Sequence, residues 1–225
     1  MPSVWPLLRK SVSVYVHYPL PFAALASINV ALGLATPRDY LLLELWTLAL
    51  LLVGNVIGAC QTLAAASVSR GYGPRIVDSV RIASRKLKDV LEFTIRHFGA
   101  FILLLMTVIG IPWAVRIYVR WFFGLQAIVL DDLTAKEAIS ESCRLVERRW
   151  WSVALVLFLT FAAFAGPVWI LSIGWPDSAA YPFVRIALGL TVGPVVAIFW
   201  TLLFLGLQEA ALAAPDAALP EASAP

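Results

Sequence analysis

The chain has 225 residues, of which 61% are hydrophobic and only 14% charged, with 9 tryptophans and a mean hydropathy of +0.86. A soluble domain carries roughly 25% charge, and burying this much apolar surface in water would need a core larger than such a chain can wrap. The net charge of +3 does not indicate nucleic-acid binding, because the basic residues flank apolar runs instead of forming a soluble basic domain.

Lipid must therefore supply the apolar environment, and the sequence reads as an all-α polytopic membrane protein. A crossing helix needs about 20 mainly apolar residues. Six candidate spans occur at about 19–36, 41–66, 98–114, 117–131, 152–174 and 183–207, making one membrane domain over 1–208. The first follows Arg9 and Lys10 and ends near Gly33 and Ala35, as a signal peptide does, but Pro19 and Pro21 at its start favour a retained helix. The 117–131 run rises only about 22 Å against a hydrocarbon core of about 30 Å. Residues 98–131 thus form either a hairpin that crosses twice or one long broken helix. The positive-inside rule favours the hairpin: 67–97 and 131–151 are the most basic segments, and a double crossing leaves both in the cytoplasm, with Gly110 and Pro112 at the tip. Both termini are then cytoplasmic, in a bacterial-type inner membrane. Trp5, Trp113, Trp121, Trp150, Trp151 and Trp175 fall near the predicted interfaces. The Ala- and Pro-rich stretch 209–225 has no periodicity and reads as a disordered tail.

Two cytoplasmic amphipathic helices separate the spans. The first, about 74–96, opens at Gly73-Pro74 and repeats Ile76, Val77, Val80, Ala83, Leu87, Val90, Leu91 and Ile95 at helical spacing. Its other side carries Arg81, Arg85, Lys88, Asp89 and Glu92, so that Arg85–Asp89, Lys88–Glu92 and Glu92–Arg96 stand four apart. The second, about 134–150, begins with the capping-box pattern Thr134-Ala-Lys-Glu137, with Asp131 and Asp132 upstream at the positive end of the helix dipole. Ala138, Ile139, Ser142, Cys143, Val146 and Trp150 form its apolar stripe; its polar face carries Glu141, Arg144, Glu147 and Arg148. Offset by 63 positions, Ile76-Val-Asp-Ser-Val-Arg-Ile-Ala-Ser-Arg-Lys86 aligns with Ile139-Ser-Glu-Ser-Cys-Arg-Leu-Val-Glu-Arg-Arg149. That match predicts a parallel repeat about a pseudo-two-fold along the membrane normal.

These helices suggest function. Each basic residue near an anionic leaflet contributes roughly 1 kcal/mol, so Arg81, Arg85, Lys88, Arg144, Arg148 and Arg149 are the candidates to hold anionic phospholipid headgroups. The same face also suits a membrane or cytoplasmic protein partner. A second set, Glu44, Arg116, Arg120 and Arg185, lies in or near the apolar layer, where a charge is costly unless paired. Matched depth makes Glu44 with Arg116 or Arg120 the preferred pair, and Asn29, Asn55, Gln61 and Gln126 can add interhelical hydrogen bonds. With Pro167, Gly189, Gly193 and Pro194 as breaks in spans 5 and 6, this set supports the alternative of a small transporter or export component.

Enzymatic chemistry is not indicated. His17 and His97 lack metal-ligand spacing and read as interfacial side chains, Cys60 and Cys143 as unpaired thiols, and Asp131-Asp132 as capping acids. No nucleophile triad, phosphate loop or Cys-x-x-Cys occurs, so neither metal nor cofactor is expected.

The stretch Arg116-Ile-Tyr-Val-Arg-Trp-Phe-Phe-Gly-Leu-Gln-Ala-Ile-Val-Leu-Asp-Asp, followed by Thr134 through Val146 and Trp150-Trp151, resembles the membrane-domain family attached to some bacterial glycerophosphodiester phosphodiesterases and also found as stand-alone membrane proteins. Tyr118, Arg120, Asp131, Ala138, Ser142, Leu145 and Trp150 occupy the positions of that family's pattern, and Gly71, Ala83 and Leu87 fit it less specifically. The resemblance implies a stand-alone membrane domain without catalytic residues, since phosphodiester cleavage in the fused proteins belongs to a separate soluble domain.

Overall fold

The structure, a computed structural model, describes residues 3–35, 37, 39–174 and 180–213. Among them the chain forms the helices α1 (Val4–His17), α2 (Pro19–Leu34), α3 (Tyr40–Ser69), α4 (Ile76–Arg85), α5 (Leu87–Leu105), α6 (Gly110–Trp121), α7 (Gly124–Leu130), α8 (Ala135–Glu147), α9 (Trp150–Gly174) and α10 (Ala180–Leu212). Among the described residues three segments, Leu42–Ser69, Gly110–Leu130 and Pro182–Leu212, are long and apolar enough to cross a membrane, and the α1–α2 pair, bent by 94°, counts as a fourth if it forms one broken span and not a re-entrant loop. The protein is therefore an all-helical membrane protein with three to four candidate spans of this kind. α9 adds 25 residues without a charge.

Pro19 explains the α1–α2 bend: it has no N–H to continue α1 but suits the first position of a new helix. α2 runs antiparallel to α3 and α10. Trp46 Nε1 donates to Leu32 O at 3.1 Å, Gly54 lies against Asn29, Gly189 against Val30, and the Arg185 guanidinium lies over Gly33. Pro167 and Pro194 sit inside α9 and α10, which continue through them instead of breaking. α10 also continues through Glu209 to Leu212, into the stretch expected to be disordered, because Glu, Ala and Leu are strong helix formers. Residues 214–225 and Trp175 lie outside the described residues.

The segment 74–131 departs most from expectation. The first amphipathic helix is two helices that meet at Lys86, and α5 carries its second half straight into the apolar run. No proline or strained residue separates charged Glu92 and Arg96 from the 98–105 stretch, so the backbone has no reason to stop there. The break at Lys86 separates Arg85 from Asp89, and only Glu92–Arg96 of the three expected pairs forms, at 2.8 Å. The hairpin tip is where Gly110 and Pro112 place it: α5 ends at Leu105 and α6 starts at Gly110.

The 117–131 run is also two helices, and α7 forms the centre of the core. Phe123, Ala127 and Ile128 are fully buried among Ile57 and Cys60 of α3, Val90 and Phe93 of α5, Val146 of α8 and Trp200, Leu203, Phe204 and Leu207 of α10. Gly124 admits the Phe93 ring where a Cβ would stand. The α6–α7 break leaves backbone polar groups in an apolar interior, where an unsatisfied group costs about 1–3 kcal/mol. Ser142 of α8 fills that gap. Fully buried, its Oγ donates to Arg120 O at 2.7 Å and accepts the Phe123 N–H at 3.1 Å.

Two substitutions test this centre. Ser142→Ala removes both hydrogen bonds while leaving shape nearly unchanged, and is expected to lower stability by about 1–3 kcal/mol. Gly124→Ala drives a methyl into Phe93 and is expected to cost about as much. Unfolding midpoints in detergent equal to the parent's for both would refute this account of the core.

Candidate functional site

α8 ends at Glu147 and α9 starts at Trp150, so Arg148 and Arg149 occupy the joint. The Arg149 N–H donates to Val146 O at 2.8 Å, and its carbonyl accepts from Val153 N at 3.0 Å, which splices the two helices. Across from the joint, α6 presents Arg116 and Arg120 one turn apart. These side chains, with Glu147, Trp150, Trp151, Ser152 and Pro112, line a groove of about 540 Å³. Arg120 Nη2 lies 3.3 Å from Glu147 Oε1, and the Arg116 guanidinium sits over the Trp113 ring, 5.7 Å from its centroid. Arg148 and Arg149 have no ion partner among the described residues. The groove thus holds four guanidinium groups against one carboxylate.

A second cavity of about 520 Å³ shares Arg116 and Arg120 and is otherwise lined by Trp113, Ile117 and Trp121. An anionic head beside an apolar wall is the chemistry of an amphiphile. Guanidinium groups suit phosphate because each offers a planar fork of donors.

The structure joins two sets of residues that the sequence kept apart. Arg116 and Arg120 come from the candidate intramembrane set, Arg148 and Arg149 from the candidate headgroup set. The remaining members lie elsewhere. Arg144 is held by Glu141 of its own helix, at 2.6 and 2.8 Å. Arg81 and Arg85 are exposed on α4, and Lys88 on α5. Glu44 is exposed on α3 and pairs with neither Arg116 nor Arg120; Arg120 takes Glu147, which α8 brings to it. Arg185 is half-buried beside Gly33. The polar residues expected to link helices do not do so: Asn55 donates to Leu51 O of its own helix at 2.9 Å, and Asn29 Oδ1 and Gln126 Oε1 are buried without a partner.

Asp131 and Asp132 do not cap the start of α8; Asp131 closes the end of α7 with its N–H on Ala127 O, and both side chains latch onto other helices. Gln208 Nε2 of α10 donates to Asp131 Oδ2 at 2.6 Å. Lys86, at the α4–α5 joint, reaches Asp132 Oδ1 at 2.6 Å and its carbonyl at 3.1 Å. Asp132 has a φ of 59°, a left-handed conformation that aspartate tolerates better than most residues. The cap is the expected box of Thr134 and Glu137. His97, read from sequence as interfacial, is instead buried among Phe93, Phe98, Tyr118 and Trp121, with both ring nitrogens unpartnered. His17 remains exposed and bonds Ser13 O at 2.8 Å. Cys60 is buried and Cys143 half-buried, both free. No group of three metal-ligating side chains occurs among the described residues.

Sequence reasoning missed Glu147, Trp151 and Ser152 as parts of a site. Their signal was the joint itself, a charged helix end followed by an aromatic restart. No family model matches the chain, and no curated protein or solved structure matches it.

The cap that orients α8 carries a pH signature. Hydrogen bonds from the Thr134 backbone N–H and then its hydroxyl hold the Glu137 carboxyl below the ordinary glutamate value of 4.5. A depressed folded value means that the contribution is present above the ordinary value and is lost as pH falls through the folded one. Hydrogen exchange at the first turn of α8 is expected to accelerate over that acid window in the parent, and to lose the dependence in Glu137→Gln. An equal acid response in the variant would assign the effect to another group.

Proposed function

We propose that this chain is a non-enzymatic membrane protein of a bacterial-type inner membrane that holds the headgroup of an anionic phospholipid. The observation that carries this reading is the groove of Arg116, Arg120, Arg148 and Arg149 beside an apolar wall. Four cations against one carboxylate repel each other when the groove is empty. A phosphate relieves that repulsion and accepts hydrogen bonds that the guanidinium groups otherwise give to water. Arg81, Arg85 and Lys88, exposed and free of ion pairs among the described residues, add a diffuse field on the same cytoplasmic face in this reading. A membrane or cytoplasmic protein partner fits that outer field better than it fits the groove.

The topology in this reading keeps both termini and both basic helices in the cytoplasm. Between Arg185 and Gln208, α10 rises about 35 Å without a charge, enough for one crossing. The parallel repeat draws support from equivalent burial: Ser79 and Ser142 are 3% and 0% exposed, Ala83 and Val146 2% and 0%. Kinship with the membrane domains of glycerophosphodiester phosphodiesterases is part of the proposal and rests on the sequence pattern alone. Arg120, Asp131, Ser142 and Leu145, positions of that family's pattern, make the contacts that hold α6, α7, α8 and α10 together.

Native mass spectrometry in gentle detergent, with lipid extraction alongside, tests the function. The parent is expected to retain anionic phospholipid. At roughly 1 kcal/mol per basic residue, each Gln at Arg116, Arg148 or Arg149 is expected to weaken retention about fivefold, with Arg81→Gln/Arg85→Gln nearer the parent. Equal retention by the parent and the triple variant Arg116→Gln/Arg148→Gln/Arg149→Gln would overturn the assignment.

A further inference from the structure

The α5–α6 hairpin does not have the dimensions of two crossings. Its last charge going out is Arg96 and its first coming back is Arg116; no Asp, Glu, Lys or Arg lies in 97–115. From Arg96 to the end of α5 the helix rises about 14 Å, and from Gly110 to Arg116 about 9 Å, against about 30 Å for a hydrocarbon core. α6 as a whole, 12 residues, rises about 18 Å; Gly110–Leu130 together is long enough to cross, but the break after Trp121 turns α7 into the protein core, where it is largely buried. Each arm therefore reaches about the depth of a single leaflet.

The tip is built for hydrocarbon. Leu103, Met106, Val108 and Ile109 are 70–86% exposed. Irregular backbone at membrane depth must satisfy its own polar groups, and this turn does so extensively. Met106 N–H bonds Ile102 O at 3.1 Å, Thr107 N–H bonds Leu104 O at 3.2 Å, and Gly110 N–H bonds both the carbonyl and the Oγ1 of Thr107 at 3.0 Å. The Thr107 hydroxyl in turn donates to Leu104 O at 3.2 Å. Gly110 is required here, since a Cβ would run into the Leu104 carbonyl. Below the tip, Phe101 and His97 of α5 stack on Tyr118 of α6 at 5.4 and 5.2 Å, so the arms are clamped together.

We infer that α5–α6 is a re-entrant wedge whose occupied surface is the acyl-chain layer of one leaflet: the tip enters from the cytoplasmic face, stops near the bilayer centre and returns. Charge complementarity fixes the depth, because Arg96 and Arg120 at the base meet the anionic headgroups of that leaflet, while Arg116, one turn deeper, extends its long side chain toward them. Within the arm the Arg116 guanidinium lies over the Trp113 ring, so its aliphatic stem and the indole share the apolar layer. Leu155, Phe158, Leu159 and Phe161 of the neighbouring α9, 56–70% exposed, continue the apolar surface. The wedge does not depend on the headgroup assignment of the groove.

The test uses the full chain in proteoliposomes, in a Cys60→Ala/Cys143→Ala background, with Val108→Cys at the tip and Ser84→Cys on α4 as the aqueous reference. An impermeant maleimide is expected to label Val108→Cys at least tenfold more slowly than Ser84→Cys from either side. A nitroxide at Val108 is expected to show high oxygen and low nickel-complex accessibility, placing it near the bilayer centre. Labelling from the side opposite Ser84 would establish two crossings and overturn the wedge. Labelling from the same side, or a nitroxide open to nickel, would put the tip in water and overturn it equally. Ile109→Cys repeats the measurement should Val108→Cys fold poorly. Lipid retention on the same samples reports separately on the groove.

Discussion

Two hydrogen bonds of one hydroxyl hold the centre of this protein. α6 and α7 are broken where Phe123 turns into the core, and the freed carbonyl of Arg120 and N–H of Phe123 face an interior without water. Ser142 satisfies both, and so decides where α8 lies against α6. The position of α8 then sets Glu147 beside Arg120 and brings the Arg148–Arg149 joint opposite Arg116. A helix break in apolar surroundings is tolerated only when another element supplies the missing partner. Here that partner and the basic groove come from the same helix.

Much of this was legible as pattern. Apolar run lengths gave α2, α3, α9 and α10, because a helix long enough to cross a membrane leaves a local record in composition. The Thr134–Glu137 box marked the start of α8, and the 3.6-residue period gave its buried face, since both signals need only neighbouring residues. The tip at Gly110 was legible for the same reason. What stayed hidden depends on contacts between distant segments. The α6–α7 break carries no proline, and only Ser142, far along the chain, makes it affordable. The continuity of α5 past Arg96 was obscured by a change from charged to apolar composition, which alters what a helix faces without altering its backbone.

The electrostatic misreadings share a cause. Pairing Glu44 with Arg116 or Arg120 assumes straight spans of matched depth, whereas Glu44 is exposed on α3 and pairs with neither. Arg120 meets Glu147 at the other end of α6. Asp131 and Asp132 were assigned to the nearest helix start, whereas their partners, Gln208 and Lys86, come from α10 and the α4–α5 joint. Burial of His97 follows likewise from the clamping of two arms that sequence alone does not register.

α6 is the element on which packing, charge and membrane depth converge. One end begins at the turn whose apolar side chains are exposed; the other carries Arg116 and Arg120 into the groove, and from Gly110 to Arg120 the helix rises only about 15 Å. That distance approximates the thickness of one leaflet's hydrocarbon layer. In the proposed wedge, seating to the tip sets Arg120 at the headgroup level of the same leaflet, with Trp113, Ile117 and Trp121 lining the apolar side of the adjoining cavity. A hairpin that crossed fully would carry two arginines through hydrocarbon, at several kcal/mol each by helix-insertion measures. In the proposed wedge the short arm and the basic groove are a single solution: the helix is long enough to anchor in one leaflet, and it ends where its charges leave hydrocarbon.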